Sequence, residues 1–136
     1  MLRKILVRTV VVLTTLATVL IALQFVASES GEVVVVSTTS SEGAVSTRLW
    51  VVDHDGAQWL RAGTQGSGWF GRMTDNPAIH MRRGDVAADY LAVPTPAAVG
   101  AVNDLMREKY GWADSLIDLL FGGRENAMAV RLQPSA

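Results

Sequence analysis

The sequence predicts an α+β protein: one transmembrane helix, then a small and mainly antiparallel β-barrel of about six strands with a C-terminal pair of helices. Three observations support this prediction. The chain opens on an uncharged apolar segment, continues in short strand-like stretches separated by turn residues, and has two stretches of helical periodicity near its end. Strands joined by hairpins form a mainly antiparallel sheet, and closing six of them into a barrel leaves no exposed edge.

The apolar segment covers about residues 5–27. Its uncharged part, Thr9–Ala27, is close to the roughly 20 residues that cross a bilayer as a helix. The basic residues of this region all precede that part: Arg3, Lys4 and Arg8. The positive-inside rule therefore predicts a single-pass membrane protein with a cytoplasmic N-terminus and its domain on the far side. The alternative is a cleaved signal peptide and a secreted domain, although the apolar region of such a peptide is usually only about 7–15 residues long.

We therefore expect residues 1–28 to be the anchor and residues 29–136 to be one domain, as its size suggests. Three of the 12 Lys and Arg residues lie in the anchor, so nine face all 13 Asp and Glu in the domain and give it a net charge of −4. A net acidic domain is a poor candidate for general nucleic-acid binding. The chain has no cysteine, which excludes disulfides and thiolate metal ligands.

The first three strands are predicted from different patterns. Glu32–Ser37 contains four consecutive valines, which indicates a buried strand. Val45–Val52 alternates between its two faces, as a half-buried strand does. The dipeptide Asp55-Gly56 is a strong hairpin signal, so Gln58–Ala62 is the predicted return strand.

A short helix and a second hairpin follow. Trp69–Thr74 is predicted to be helical and to end before Pro77, because the residue before a proline avoids the helical conformation. Ala78–Arg82 and Val86–Val93 are then predicted to be strands that turn around residues 83–85.

Two helices and a final strand complete the prediction. Thr95 is a plausible N-cap, and an apolar stripe follows it at helical spacing: Val99, Val102, Leu105, Met106 and Tyr110. Gly111 ends this helix. Trp112–Phe121 is the second helix, with its leucines expected to face inward: Leu116, Leu119 and Leu120. Ala127–Leu132 is the last predicted strand.

The strongest candidate for a binding site is the glycine-rich loop Gly63–Gly68 and the start of the helix after it. Such a loop exposes backbone N–H groups, and the helix dipole adds positive potential, so both attract a phosphate. Arginines offer planar forks to phosphate oxygens, hydroxyls donate hydrogen bonds, and tryptophan can stack on a flat ring. These residue types suit a phosphorylated aromatic cofactor: Arg61, Thr64, Ser67, Trp69 and Arg72. The alternative is a flexible loop with solvated arginines and a core tryptophan.

Other chemistry has weaker support. His54 and His80 do not have the spacing of metal ligands, so no metal site is predicted. Ser67 does not lie in a G-x-S-x-G elbow, because Gln65 stands where the first glycine is needed. The sequence therefore argues against a metalloenzyme and against a serine hydrolase.

The order of elements and the glycine loop resemble the flavin-binding split-barrel superfamily over about residues 32–132. Two stretches carry the resemblance, VVVVSTTSSEGAVSTRLWVVDHDG and WLRAGTQGSGWFGRMTDNPAIHM. Residues 75–77 after a Trp-led helix and the closing strand Met128–Leu132 also fit it. The deazaflavin-dependent nitroreductase-like proteins are the most similar branch, followed by the pyridoxamine-phosphate-oxidase-like group.

The resemblance implies an oxidoreductase that binds FMN or a deazaflavin of the F420 type and transfers hydride to a small acceptor, such as a quinone or a nitro compound. It also implies that the cofactor is held by the second and third strands and the glycine loop, through Arg48, Arg61, Thr64, Ser67, Trp69 and Arg72. Split barrels often dimerise around the cofactor, so a homodimer is expected. Two alternatives remain: a non-catalytic split barrel that binds a small ligand such as a flavin or haem, and a tethered domain that binds a protein partner.

Overall fold

The fold is described by a computed structural model that covers residues 1–29, 31–122 and 124–135. The chain begins with α1, Leu2–Ser28, whose side chains are almost all exposed. This helix is long and apolar enough to cross a membrane. Three of its four threonines donate hydroxyl hydrogen bonds to carbonyls one turn earlier, which satisfies them inside the helix: Thr9, Thr14 and Thr18.

Six strands and three further helices follow α1 in the predicted order. Their bounds are β1 Val33–Ser40, β2 Gly43–His54, β3 Ala57–Ala62, α2 Gly68–Asp75, β4 Ala78–Arg83, β5 Val86–Pro94, α3 Val99–Tyr110, α4 Trp112–Phe121 and β6 Met128–Pro134. A single 3₁₀ turn at Pro96–Ala98 precedes α3, and Thr95 stands at its N-cap position without a side-chain cap hydrogen bond.

The six strands form a closed barrel in the order β1-β2-β3-β6-β5-β4, and every neighbouring pair is antiparallel. The closing pair is β1 with β4, where Val36 lies opposite Met81. Closure gives each strand two partners, so no strand edge is left to pair with another chain. The predicted α+β fold, with its antiparallel barrel, C-terminal helical pair and N-terminal apolar helix, is confirmed.

The interior of the barrel forms the main core, and α2 closes one end of it. Side chains at alternating positions of β1, β2, β3, β4 and β6 point inward, and α2 adds Trp69, Phe70 and Met73. The valine run of β1 illustrates why the barrel forms: Val34 and Val36 are fully buried inside, as a period of two requires.

A second apolar cluster lies outside the barrel, where α3 covers β2, β3 and β6. The predicted stripe of α3 supplies it with Val102, Met106 and Tyr110, which pack against Val52 and Trp59. The α3 stripe is therefore confirmed as the buried face of that helix.

Tyr110 joins this outer layer to the chain that leaves α1. Its ring stacks on Trp50 with centroids 4.2 Å apart, and its hydroxyl accepts a hydrogen bond from the Val51 N–H at 3.0 Å and donates one to the Glu32 carbonyl. Gly31 passes against the same ring, where a Cβ would lie only 3.0 Å from a ring carbon, and its φ of +74° also favours glycine. The connection between α1 and β1 is thus packed rather than free.

The prediction for α4 is wrong in one respect: Leu119, expected to face inward, is 82% exposed. The residues of α4 that are buried are Ala113 and Asp114 instead. The reason is electrostatic, because a buried carboxylate that binds arginines of the domain turns the acidic face of α4 inward and Leu119 outward, while Leu116 and Leu120 are half-buried.

We predict that Leu60→Ala lowers the free energy of unfolding by about 2–5 kcal/mol, because Leu60 is fully buried in the barrel and its loss leaves a cavity. The measurement is denaturant unfolding of the full chain in detergent, followed by tryptophan fluorescence. Leu91→Ala is the matched control, since Leu91 is 43% exposed, and should change the same quantity by about 1 kcal/mol or less. Equal effects of the two changes would contradict the placement of the core.

Candidate functional site

Two of the six predicted cofactor ligands, Arg48 and Arg61, line one cleft between β2, β3 and the helical pair. We call it the arginine cleft. It has a volume of about 240 Å³ and is lined by Arg48, Leu49, Trp50, Arg61, Gly63, Met106 and Ile117. Two cationic side chains thus open onto a surface that is otherwise aliphatic and aromatic.

Arg48 stands at the exposed side of the cleft and is bound to the chain just after α1. Its Nε and Nη2 donate to the two carboxylate oxygens of Glu29, at 2.9 Å and 2.6 Å. The fork geometry is favourable, but the Arg48 side chain is 58% exposed. Because water screens such a pair, it contributes little stability and Arg48 can exchange Glu29 for another anion.

Arg61 stands at the inner side of the cleft, and its side chain is only 14% exposed. Its Nη2 donates to Asp114 at 2.6 Å, and its Nη1 donates to the Asn103 side-chain carbonyl at 3.2 Å. A guanidinium has five N–H donors in a rigid plane, so these two bonds fix its orientation and leave others for a ligand. Arg61 is therefore a preorganised cation.

Asp114 organises the charges behind the cleft. Its side chain is 1% exposed, and its carboxylate binds Arg61, Arg107 and Arg124. Burial alone would raise the pKa of Asp114, but the hydrogen bond and charge of Arg61, together with Arg124, outweigh burial and hold the pKa below its ordinary value. Asp114 is thus a buried anion that three arginines from β3, α3 and the segment before β6 share.

The other four predicted ligands lie elsewhere. Arg72 donates from Nε to the hydroxyl of the buried Thr38 at 2.8 Å, on the far side of α2. Trp69 is 5% exposed and lies in the barrel core against Phe70. Thr64 lines a separate surface depression near β6, and Ser67 is the N-cap residue of α2. The structure therefore brings together Arg48 and Arg61, and of the glycine loop only Gly63 lines the same cleft.

The sequence did not predict several residues that line the arginine cleft, among them Leu49, Trp50, Met106 and Ile117. Trp50 also stacks on Tyr110. The missed residue with a visible signal is Asp114, because an acidic side chain inside the apolar stretch Trp112–Phe121 needs a cationic partner if that helix is to pack on a domain.

A second ion-pair network lies at the end of the barrel where β1 begins. Arg83 donates to Glu32 at 2.9 Å and to Asp53 at 2.7 Å, and Lys109 donates to Glu32 at 2.7 Å. The hydrogen bonds of Arg83 lower the pKa of both carboxyl groups, and those carboxylates raise the pKa of Arg83. These groups fasten β4 and α3 to the start of β1, and Arg83 is held by Glu32 and Asp53 together.

We predict that Asp114→Asn lowers the free energy of unfolding by about 3–5 kcal/mol at neutral pH, because it leaves three arginines around an uncharged buried side chain. The folded-state pKa of Asp114 is lowered, so its stabilisation is present above the ordinary carboxyl pKa of about 4 and is lost as the pH falls through the folded-state value. The measurement is denaturant unfolding of both proteins between neutral and acid pH.

The variant should therefore lose less stability than the wild-type protein on acidification. Asp104→Asn is the matched control, since Asp104 is exposed on α3, and it should behave like the wild-type protein. An Asp114→Asn protein with unchanged stability at neutral pH would contradict the role given to this carboxylate.

No protein-family model and no curated protein matches the chain. Solved structures do match its fold. The F420-H2-dependent reductase FDR-A matches with a TM-score of 0.57 at 17% identity, over 74% of this chain and 93% of that one. HutZ, the heme storage protein from Vibrio cholerae, matches with a TM-score of 0.58 at 15% identity, over 81% and 86%.

A putative pyridoxamine 5'-phosphate oxidase from Listeria innocua also matches, with a TM-score of 0.56 at 11% identity, over 82% of this chain and 90% of that one. Identities this low establish the fold and leave the chemistry open. The closed six-stranded barrel and these neighbours together confirm the fold that the sequence resemblance implied: this chain has the split-barrel fold of the F420 reductases and the pyridoxamine-phosphate-oxidase-like proteins.

Proposed function

We propose that this chain is a membrane-tethered, oxidoreductase-like domain that binds a flavin or deazaflavin in the arginine cleft and acts on a small acceptor such as a quinone or a nitro compound. The observation that carries the proposal is the cleft itself, where Arg48 and Arg61 face an apolar wall. The fold supports it, since structures with this fold include F420 reductases and a putative pyridoxamine 5'-phosphate oxidase.

The residues of the cleft fit a phosphorylated aromatic cofactor in kind. Arg61 would bind the phosphate as a fixed fork, and Arg48 would bind it as a mobile one after releasing Glu29. Trp50, Met106 and Ile117 would hold the ring and exclude water from it. The bound cofactor supplies the hydride chemistry, and the protein supplies binding and orientation.

The size of the cleft limits how much of a cofactor one copy of the chain can enclose. Its volume of about 240 Å³ is below the roughly 300–1,000 Å³ of typical ligand pockets. The proposal therefore includes a homodimer in which a second copy covers the rest of the cofactor. The cleft is not lined by the other four predicted ligands, Thr64, Ser67, Trp69 and Arg72. Their role in cofactor binding stays a prediction.

A specific observation favours a second candidate function, a non-catalytic binding module. Both cleft arginines are already paired with carboxylates, Arg48 with Glu29 and Arg61 with Asp114, which lowers the positive potential available to a phosphate. The heme storage protein HutZ has the same fold. Tight binding of a flavin or haem that no donor then reduces would favour this second function.

We predict that the full chain in detergent binds FMN or a deazaflavin and shifts its absorbance spectrum. Arg61→Ala should weaken that binding by about 1.5–3 kcal/mol, the range for a hydrogen bond to a charged group, which is roughly 10- to 150-fold in the dissociation constant. Arg48→Ala should weaken it in the same direction. The measurement is a titration followed by absorbance.

Arg131→Ala is the control for the loss of one positive charge, because Arg131 is exposed on β6 and does not line the cleft. It should leave the affinity unchanged. The cofactor proposal fails if neither compound binds at micromolar concentration, and the cleft assignment fails if both cleft variants bind as well as the wild-type chain.

We also propose that α1 remains attached and spans the membrane, with the N-terminus in the cytoplasm and the barrel on the far side. The basic residues Arg3, Lys4 and Arg8 support this orientation, and the 27-residue length of α1 supports a span. A flavin- or deazaflavin-dependent reductase on that side would need a cofactor supply outside the cytoplasm.

We predict that a reporter fused after residue 136 is active only on the far side of the membrane and that the fusion retains α1. Reporter activity and the mass of the membrane-bound fusion are the measurements. Reversing the charge of Arg3, Lys4 and Arg8 together is the control and should weaken or invert the orientation. A cytoplasmic reporter in the unchanged chain would contradict the orientation, and a shortened, released fusion would indicate a signal peptide.

A further inference from the structure

We propose that α4 lies at the interface of the bilayer that α1 crosses. The face that contacts the lipid is an apolar stripe of three residues, Trp112, Leu116 and Leu119. These three residues share one face of α4, because they are spaced four and three residues apart. The inference rests on the membrane tether in the proposed function and is independent of any cofactor.

The stripe belongs to a group of exposed apolar side chains on α4. Trp112 is 56% exposed, Leu119 is 82% exposed, and Phe121 at the end of the helix is 60% exposed. Among the described residues beyond α1, six large apolar side chains are 42% or more exposed, and the other three are scattered over the strands: Val45, Val86 and Leu91. Three of the six therefore lie on one ten-residue helix.

The polarity of α4 is the reverse of that of a helix on the surface of a water-soluble domain. Its two acidic residues face the domain, where Asp114 binds Arg61 and Asp118 lies 3.7 Å from Arg107. The acidic side chains are thus paired inside the protein, whereas Trp112 and Leu119 point outward. A soluble domain normally has the opposite arrangement, so the outer face of α4 is matched to an apolar environment.

The position of α4 relative to α1 indicates that this apolar environment is the lipid bilayer. Helix α1 contacts α4, and Gln24 and Ala27 are the described α1 side chains that are not exposed, so the contact lies near the C-terminal end of α1. About 20 helical residues cross a bilayer, so a helix whose uncharged part begins at Thr9 reaches the opposite interface close to Ala27. Helix α4 therefore lies at the depth where α1 leaves the membrane.

The connector between α1 and β1 is too short to let the barrel and α4 move far from that depth. Four residues separate α1 from β1, and they span at most about 14 Å when fully extended. The described part of this connector is also fixed, since Glu29 is bound by Arg48 and Gly31 packs on Tyr110. The barrel and α4 are thus held against the bilayer.

The side chains of the stripe suit a lipid interface. Tryptophan is enriched at that level of the membrane, and leucine partitions into the acyl boundary about 5–10 Å deep. Phe25 and Val26 on α1, which lie about one turn before the connector, are also exposed, at 69% and 55%. A lipid interface would cover the stripe and these residues together.

The experiment uses the full chain in lipid nanodiscs and takes advantage of the absence of cysteine, which allows single labelled sites. Spin labels are placed at Leu119→Cys on the stripe, Val12→Cys within α1 and Val86→Cys on the barrel, all of which are exposed residues. Power saturation then compares the access of oxygen, which is concentrated in lipid, with that of a water-soluble nickel complex. We expect the label at position 119 to behave like the one at position 12, with high oxygen and low nickel access.

Three results would overturn the inference, and they differ from one another. In the first, the nickel complex reaches the label at position 119 as readily as the label at position 86, while the label at position 12 is in lipid. This result would leave the tether intact and place α4 in water. Low access of both reagents at 119, in discs that hold two copies, would show that a second chain covers the stripe. In the third, the label at position 12 is accessible to water, which would contradict the membrane tether itself. Flavin titration of the same discs tests the cofactor proposal separately.

Discussion

The interaction on which much of this structure depends is the burial of one carboxylate, Asp114, among three arginines. Taking a charge out of water is costly, and the cost is met only when charged partners with good geometry surround it. Those partners come from β3, α3 and the segment before β6, so the carboxylate ties the outer helices to the barrel. Removing it would leave Arg61 without its carboxylate partner and would leave Arg107 and Arg124 with Asp118 alone.

The same carboxylate bears on both proposals made above. It fixes Arg61 at the inner side of the arginine cleft, which would orient a donor for the proposed phosphate and also reduce the positive charge that the phosphate would meet. It also turns the acidic face of α4 inward, while Trp112 and Leu119 face outward. One buried charge therefore underlies both the proposed ligand site and the proposed membrane contact.

Much of the fold was predictable from the sequence because its signals are local. The valines of β1, the Asp55-Gly56 turn and the glycine after α3 specify their own strands, hairpin and helix end, and the strand count then favours closure. The inward orientation predicted for Leu119 was wrong because the arginine partners of Asp114 fix which face of α4 is buried, and those partners lie on other segments of the chain. The cleft was predicted only in part, since the pairing of Arg61 with Asp114 joins residues 53 positions apart and leaves no mark on either segment.

The measurement that tests the central claim most directly is an experimental structure of the full chain with bound FMN or deazaflavin. We expect the cofactor ring to lie in the arginine cleft against Trp50 and Ile117, with the cofactor phosphate within hydrogen-bond distance of Arg61 or Arg48. A cofactor bound at the glycine loop, or at any site that leaves both of these arginines on their carboxylates, would contradict it.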